Sequence, residues 1–201
     1  MFIVLEGLDG AGTSTQLKRL EAVLRAEGRQ VRATREPSDG PVGVMIRQAL
    51  RGRLRQTAGA PIGPEALALL FAADRLDHLR DVVEPDLAAG RIVLSDRYVH
   101  SSLAYQGVEC DPDWVVDINS RARDPDLVIY VEVDVETSLG RIFGRGDALE
   151  RFEQEEMLEA VRDGYEQAFR ARPCNVVRVD GSGSPNEVQA RVLDVVRQHL
   201  S

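Results

Sequence analysis

FIVLEGLDGAGTSTQ, residues 2–16, joins a short apolar run to a glycine-rich turn and a helix start. Phe2 to Leu5 are apolar enough for a strand buried on both faces. Gly7, Leu8, Asp9, Gly10, Ala11 and Gly12 then make a loop whose backbone N–H groups can turn inward around an anion, and the helix that follows adds its positive dipole end. In the phosphate-loop pattern GxxxxGK[ST], Gly7 and Gly12 fill the glycine positions and Ser14 the hydroxyl position, with Thr15 behind it. Thr13 stands where that pattern has its lysine. The competing reading is an ordinary glycine-rich strand-to-helix turn.

The rest of the chain repeats the alternation of apolar run and helix. Apolar runs at 30–34, 91–94, 127–133 and 176–179 are expected strands, the third being the richest in β-branched residues. Helical spacing is expected from the loop to Gly28 and over 42–54, 65–78, 81–89, 101–106, 112–122, 137–143, 157–170 and 186–200. Five apolar strands separated by helices imply an α/β fold, a P-loop NTPase-type five-stranded parallel sheet with helices on both faces. Ligands in such sheets sit beyond the carboxyl ends of the strands. Asp9-Gly10, Arg35-Glu36-Pro37 and Asp96-Arg97-Tyr98 all follow strands, which gathers them at one edge.

Composition narrows the class. With 201 residues, 43% hydrophobic and 29% charged, one domain spanning 1–201 is expected. A net charge of −8 argues against sequence-independent binding of polymeric nucleic acid. Cys110 and Cys174 have neither disulfide-framework nor zinc spacing. No run reaches the roughly 18 apolar residues of a membrane span, and the first residues enter the strand without a basic leader, so a cytoplasmic protein is expected.

GLDGAGxST at 7–15, TREP at 34–37, FAADR at 71–75, DRYxxSSxAYQG at 96–107 and an RG…RFE segment at 145–153, in this order, resemble the signature of thymidylate kinases over nearly the whole chain. That resemblance implies transfer of a phosphoryl group from ATP to dTMP, a step toward dTTP, with magnesium as cofactor and a homodimer as the common assembly. It implies that Asp9 accepts a hydrogen bond from the 3′-hydroxyl of the acceptor, that Arg97 bridges donor and acceptor phosphates, and that Asp96, with Ser14, holds magnesium directly or through water. Phe71 would stack on the base, Arg75 would bond an exocyclic oxygen, and Tyr105 would limit sugar substituents; Glu36, Pro37, Ser101, Ser102 and Gln106 belong to the same motifs. A core position for Phe71 and a solvated helix face for Arg75 are the competing readings. The dimer face is expected near Leu67 to Leu70 and Ser101 to Ala104, with burial in the core as the alternative. Arg141, Arg145 and Arg151 flank a glycine-interrupted stretch suited to a lid at about 141–153, although Glu150 precedes Arg151-Phe152-Glu153 where the family usually has aspartate. His78, His100 and His199 have no ligand spacing and are expected to be structural.

Thr13 brings no charge to a reaction that depends on positioning and charge stabilisation. Three readings stay open: a kinase whose Arg97 and lid arginines, Arg145 and Arg151, supply the charge; a catalytically silent nucleotide binder; and a kinase for a modified deoxynucleoside monophosphate.

Overall fold

The computed structural model describes residues 1–143 and 148–200, without the side chains of 143 and 148–153. The chain runs β1 (Phe2–Glu6), α1 (Thr13–Ala26), β2 (Val31–Arg35), α2 (Pro41–Leu50), α3 (Pro64–His78), a π-helical turn (Leu79–Val83), α4 (Glu84–Ala88) and β3 (Ile92–Asp96). It continues through α5 (Val99–Glu109), α6 (Pro112–Ile118), β4 (Leu127–Glu132), α7 (Val135–Phe143), α8 (Ala148–Ala171), β5 (Val176–Asp180) and α9 (Pro185–Leu200). All strand pairings are parallel, in the order β2-β3-β1-β4-β5.

Alternation along β1 divides the core. Ile3 and Leu5 face Leu17, Leu20 and Leu24 of α1 and Val192 and Val196 of α9. Phe2 and Val4 face the other way, among Tyr98, Val99, Leu103 and Ala168. The central strand is thus covered on both sides, which is why it reads as an unbroken apolar run. Register aligns Leu5 with Asp96 and Arg35 with Asp96, so β1, β2 and β3 end level with one another.

Several boundaries depart from the expected ones, among them α6, which stops at Ile118 rather than 122, and α5, which spans Val99–Glu109 rather than 101–106. α2 stops at Leu50 rather than 54, because Gly52 takes φ 65° and the Arg53 N–H returns to Gln48 O at 2.9 Å. The helix expected at 81–89 is no separate element, since α3 passes through the π-helical turn into α4. Pro85 has no N–H to give the preceding turn, and the hydrogen-bond ladder widens just before it. α8 starts at Ala148, well before Met157. Among the described residues no helix is long and apolar enough to cross a membrane.

His100 is fully buried at the start of α5; its Nε2–H donates to Arg172 O at 3.2 Å and Nδ1 has no partner. Burial, the largest cause, pushes its pKa from 6.5 down to about 4. The unfolded chain therefore takes up a proton that the fold refuses between pH 6.5 and about 4, and stability falls as pH falls through that window. The loss is on the order of 3 kcal/mol. Denaturant melts between about pH 7 and 4.5 should show it, and His100→Gln should flatten the dependence; an equal slope in the variant would assign the acid sensitivity to other groups.

Candidate active site

The loop 7–12 leaves β1 and enters α1 through Gly12 at φ 95°, which serves as N-cap without a side-chain bond. Gly10 takes φ 82°, and a Cβ there would lie 2.7 Å from Ser138 O of α7. Only glycine lets the loop pass beneath that helix. The result is a cavity of about 480 Å³ over the amino end of α1. Leu8, Asp9, Gly10, Ala11, Gly12, Thr13, Ser14 and Thr15 all line it, joined by Gln16, Gly181, Gly183, Pro185 and Val188. Gly7 does not; it lies underneath, where a Cβ would come within 2.8 Å of Val131 O.

Thr13 is buried and uncharged, and the cations lining this cavity among the described residues are Arg97 and Arg141. Arg141, from α7, donates through Nη1 to Gly10 O and Ala11 O, both at 3.2 Å, and through Nη2 to Gly181 O at 3.0 Å. It lies across the loop, held only by backbone carbonyls in these bonds. Of the two other lid arginines expected to act, Arg145 and the side chain of Arg151 lie outside the described residues.

Asp96, at the end of β3, accepts the Ser14 hydroxyl on Oδ2, while its buried Oδ1 has no partner. A hydroxyl and an unsatisfied carboxylate oxygen side by side fit a divalent cation that keeps its waters and takes its remaining ligands from phosphates. Among the described residues no cluster of three or more His, Cys, Asp or Glu is suited to a metal.

A second cavity, of about 260 Å³, opens beside the first. Asp9, Glu36, Pro37, Phe71, Arg75, Arg97, Ser101, Ser102, Tyr105 and Gln106 all line it, along with Leu50 and Tyr98. Phe71 is partly exposed at its wall rather than part of the core. Gln106 Oε1 is buried and unpaired there, an acceptor ready for a ligand N–H. Asp9 and Arg97 line both cavities.

Arg97 follows β3 with φ 67°, a left-handed backbone that costs a non-glycine residue about 1–3 kcal/mol. The turn is fixed by Arg97 N–H donating to Leu5 O at 2.9 Å and the Ser95 hydroxyl donating to Arg97 O at 2.8 Å. Its Nη2 donates to Asp9 Oδ1 at 2.6 Å, and its guanidinium lies 5.0 Å from the ring centre of Tyr105. Burial works against its charge, but Tyr165, Tyr105, Asp9 and Glu6 together hold the pKa well above the ordinary arginine value. The Asp9 N–H donates to the Tyr105 hydroxyl at 3.1 Å, so loop and ring are linked.

Arg75 is not on a solvated face. It is 1% exposed and engaged on all three nitrogens: Nε to Glu36 Oε2 at 2.9 Å, Nη1 to Asn119 Oδ1, and Nη2 to Tyr98 O at 3.3 Å and Ser102 Oγ at 2.8 Å. His78 pairs with the other Glu36 oxygen at 3.2 Å and with the Thr34 hydroxyl at 2.6 Å. Arg75 therefore braces the cavity wall. Glu36→Gln would leave this buried cation without a counter-charge, and urea unfolding should show a loss of about 3–5 kcal/mol. A loss below about 1 kcal/mol would put the pair among weak solvent-screened ones.

Sequence reasoning missed the far end of the first cavity, Gly181 to Val188, although these residues follow β5 and the strand-end rule points to them. It also passed over Glu6 and Tyr165, which carry no motif of their own.

A family model described as thymidylate kinase matches residues 5–192. A protein named "Probable thymidylate kinase" from Thermococcus gammatolerans is 38% identical over 203 residues, covering 100% of this chain and 97% of its own. Proteins of the same name from Thermococcus onnurineus and Pyrobaculum aerophilum are 44% identical over 168 residues (82% of each chain) and 40% identical over 199 residues (98% of this chain, 96% of theirs). With the match running through the loop, both cavities and every strand, the chain belongs to the thymidylate kinase family.

Proposed function

We propose that this protein is a thymidylate kinase that transfers the γ-phosphoryl group of MgATP to the 5′-phosphate of dTMP, giving dTDP and ADP. The observation that carries this reading is the abutment of the two cavities at Asp9 and Arg97. A donor held over α1 and an acceptor held beside Phe71 would meet at one guanidinium. The loop N–H groups and the amino end of α1 receive the donor phosphates. Ser14 and Asp96 would hold magnesium, which when bound offsets charge on the phosphates. Arg97 Nη2 exchanges Asp9 for phosphate oxygens, and Asp9 is then free to accept the sugar hydroxyl. The acceptor needs no strong general base, because a phosphate monoester with a second pKa of about 6 is largely dianionic at neutral pH. Phe71 and Gln106 face the base, and Tyr105 crowds the sugar. We take residues 1–201 as one such kinase domain with a lid at about 141–153, acting in the cytoplasm.

A homodimer belongs to the same reading. Val44 and Met45 of α2 and Leu69 and Leu76 of α3 are exposed apolar side chains on two neighbouring helices, which supports self-association there. Of the expected dimer segments, Leu69 is exposed on α3, whereas Ser102, Leu103 and Ala104 are buried.

Thr13 is the single feature in favour of a silent binder, and Arg141 lying across the loop weighs against it. A coupled assay with ATP, Mg²⁺ and dTMP should show acceptor-dependent ADP formation; folded protein that binds dTMP without turnover would favour the silent binder, and faster turnover of a modified deoxynucleoside monophosphate would redefine the acceptor. If Arg141 provides the charge that Thr13 lacks, Arg141→Ala should lower kcat by about 10²-fold, as loss of a preorganised donor does. Adding Thr13→Lys to that variant should restore most of it. Unchanged turnover in Arg141→Ala would remove Arg141 from the reaction.

A further inference from the structure

Arg97 presents two faces. Nη2 points toward the cavities and Asp9, whereas Nη1 points inward, donating to Ser101 Oγ at 3.1 Å and to the Tyr165 hydroxyl at 3.3 Å. Tyr165 comes from α8, is fully buried, and lines neither cavity. Its hydroxyl also lies 3.0 Å from Glu6 Oε2, 3.1 Å from Gly7 O and 2.9 Å from Ser101 Oγ. A phenol has one proton to give and two lone pairs to offer. Arg97 can only donate, so the phenol's proton goes to Glu6, Gly7 O or Ser101 Oγ. The lone pairs are thereby turned toward Arg97. Ser101 gives its own proton to Glu6 Oε2 and accepts from Arg97 likewise.

From this geometry we infer that Tyr165 is a positioning residue for phosphate transfer: its hydroxyl, oriented by Glu6 and Gly7 O, clamps Nη1 so that Nη2 faces the phosphates. The packing of Tyr165 does not need that hydroxyl. Its ring packs against Tyr130, Phe169 and, edge to face, Tyr105, at centroid distances of 5.0, 5.8 and 6.3 Å, contacts that do not involve the hydroxyl. A left-handed arginine with one face unclamped would still carry its charge but would sample orientations away from the reacting phosphates.

The inference rests on the kinase reading for its chemistry, and the test separates the two. Tyr165→Phe deletes the hydroxyl alone. Calorimetry should show dTMP bound about tenfold more weakly and thymidine, which lacks the phosphate, bound as in the parent; kcat should fall by about tenfold, the scale of one hydrogen bond to a charged group. In an Arg97→Gln background the same substitution should change neither value further. Equal weakening of dTMP and thymidine, no weakening of either, or an equal loss in the Arg97→Gln background would overturn the assignment, since a purely structural tyrosine gives those results. If Tyr165→Phe does not fold, Ser101→Ala removes the other hydroxyl on Nη1, and the same affinity ratio and the same double variant decide. Absent turnover in the parent enzyme would fail the kinase reading alone, because the affinity ratio is measured without turnover.

Discussion

A buried carboxylate at the end of the central strand organises this molecule. Glu6 has no exposed surface, and burial raises its pKa despite the hydrogen bonds that favour its charge. It accepts the backbone N–H groups of Tyr98 and Ser101 and the hydroxyls of Ser101 and Tyr165. A charge so placed is tolerated only when every lone pair is used and a counter-charge is near. The N–H groups come from the amino end of α5, where the helix dipole favours an anion. The counter-charge is Arg97, reached through the two hydroxyls. One side chain thus ties β1 to α5 and α8 and sets the direction of the arginine on which both cavities converge.

On the proposed reading the missing loop lysine is answered in the same terms. Thr13 is buried at the first turn of α1, where it contributes backbone but no charge. Arg141 arrives from α7, made possible by Gly10, whose lack of a side chain lets that helix lie against the loop. Cation and glycine are 131 positions apart in the chain, yet each is needed for the other to be useful.

How much of this was legible beforehand depended on how local the signal was. The five strands and their order of appearance could be read because strands buried on both faces leave apolar runs that little else produces. Most residues lining the second cavity could be read as well, since they fall in a few sequence motifs, but Leu50 at the end of α2 was not among them. Arg75 was harder: helical spacing placed it correctly, but its partner Glu36 lies 39 positions away, and nothing local distinguishes a buried arginine from a solvated one. Tyr165 was invisible for the same reason, meeting Glu6 across 159 positions. The early start of α8 was obscured by a glutamate-rich first half without an apolar stripe. The left-handed backbone of Arg97 has no sequence signature, because arginine has no preference for it.

The pairing of Asp9 with Arg97 has a consequence for selectivity against simple anions. While the site is empty, the cation that would attract a phosphate is already neutralised at 2.6 Å. A free inorganic phosphate must compete with Asp9 for the guanidinium and offers the displaced carboxylate nothing in return. On the proposed reading a nucleotide would bring both a phosphate for Arg97 and a sugar hydroxyl for Asp9, so the two halves of the ion pair would be released together onto two parts of one ligand. On that reading the pair favours a ligand that carries sugar and phosphate together over one that carries either alone.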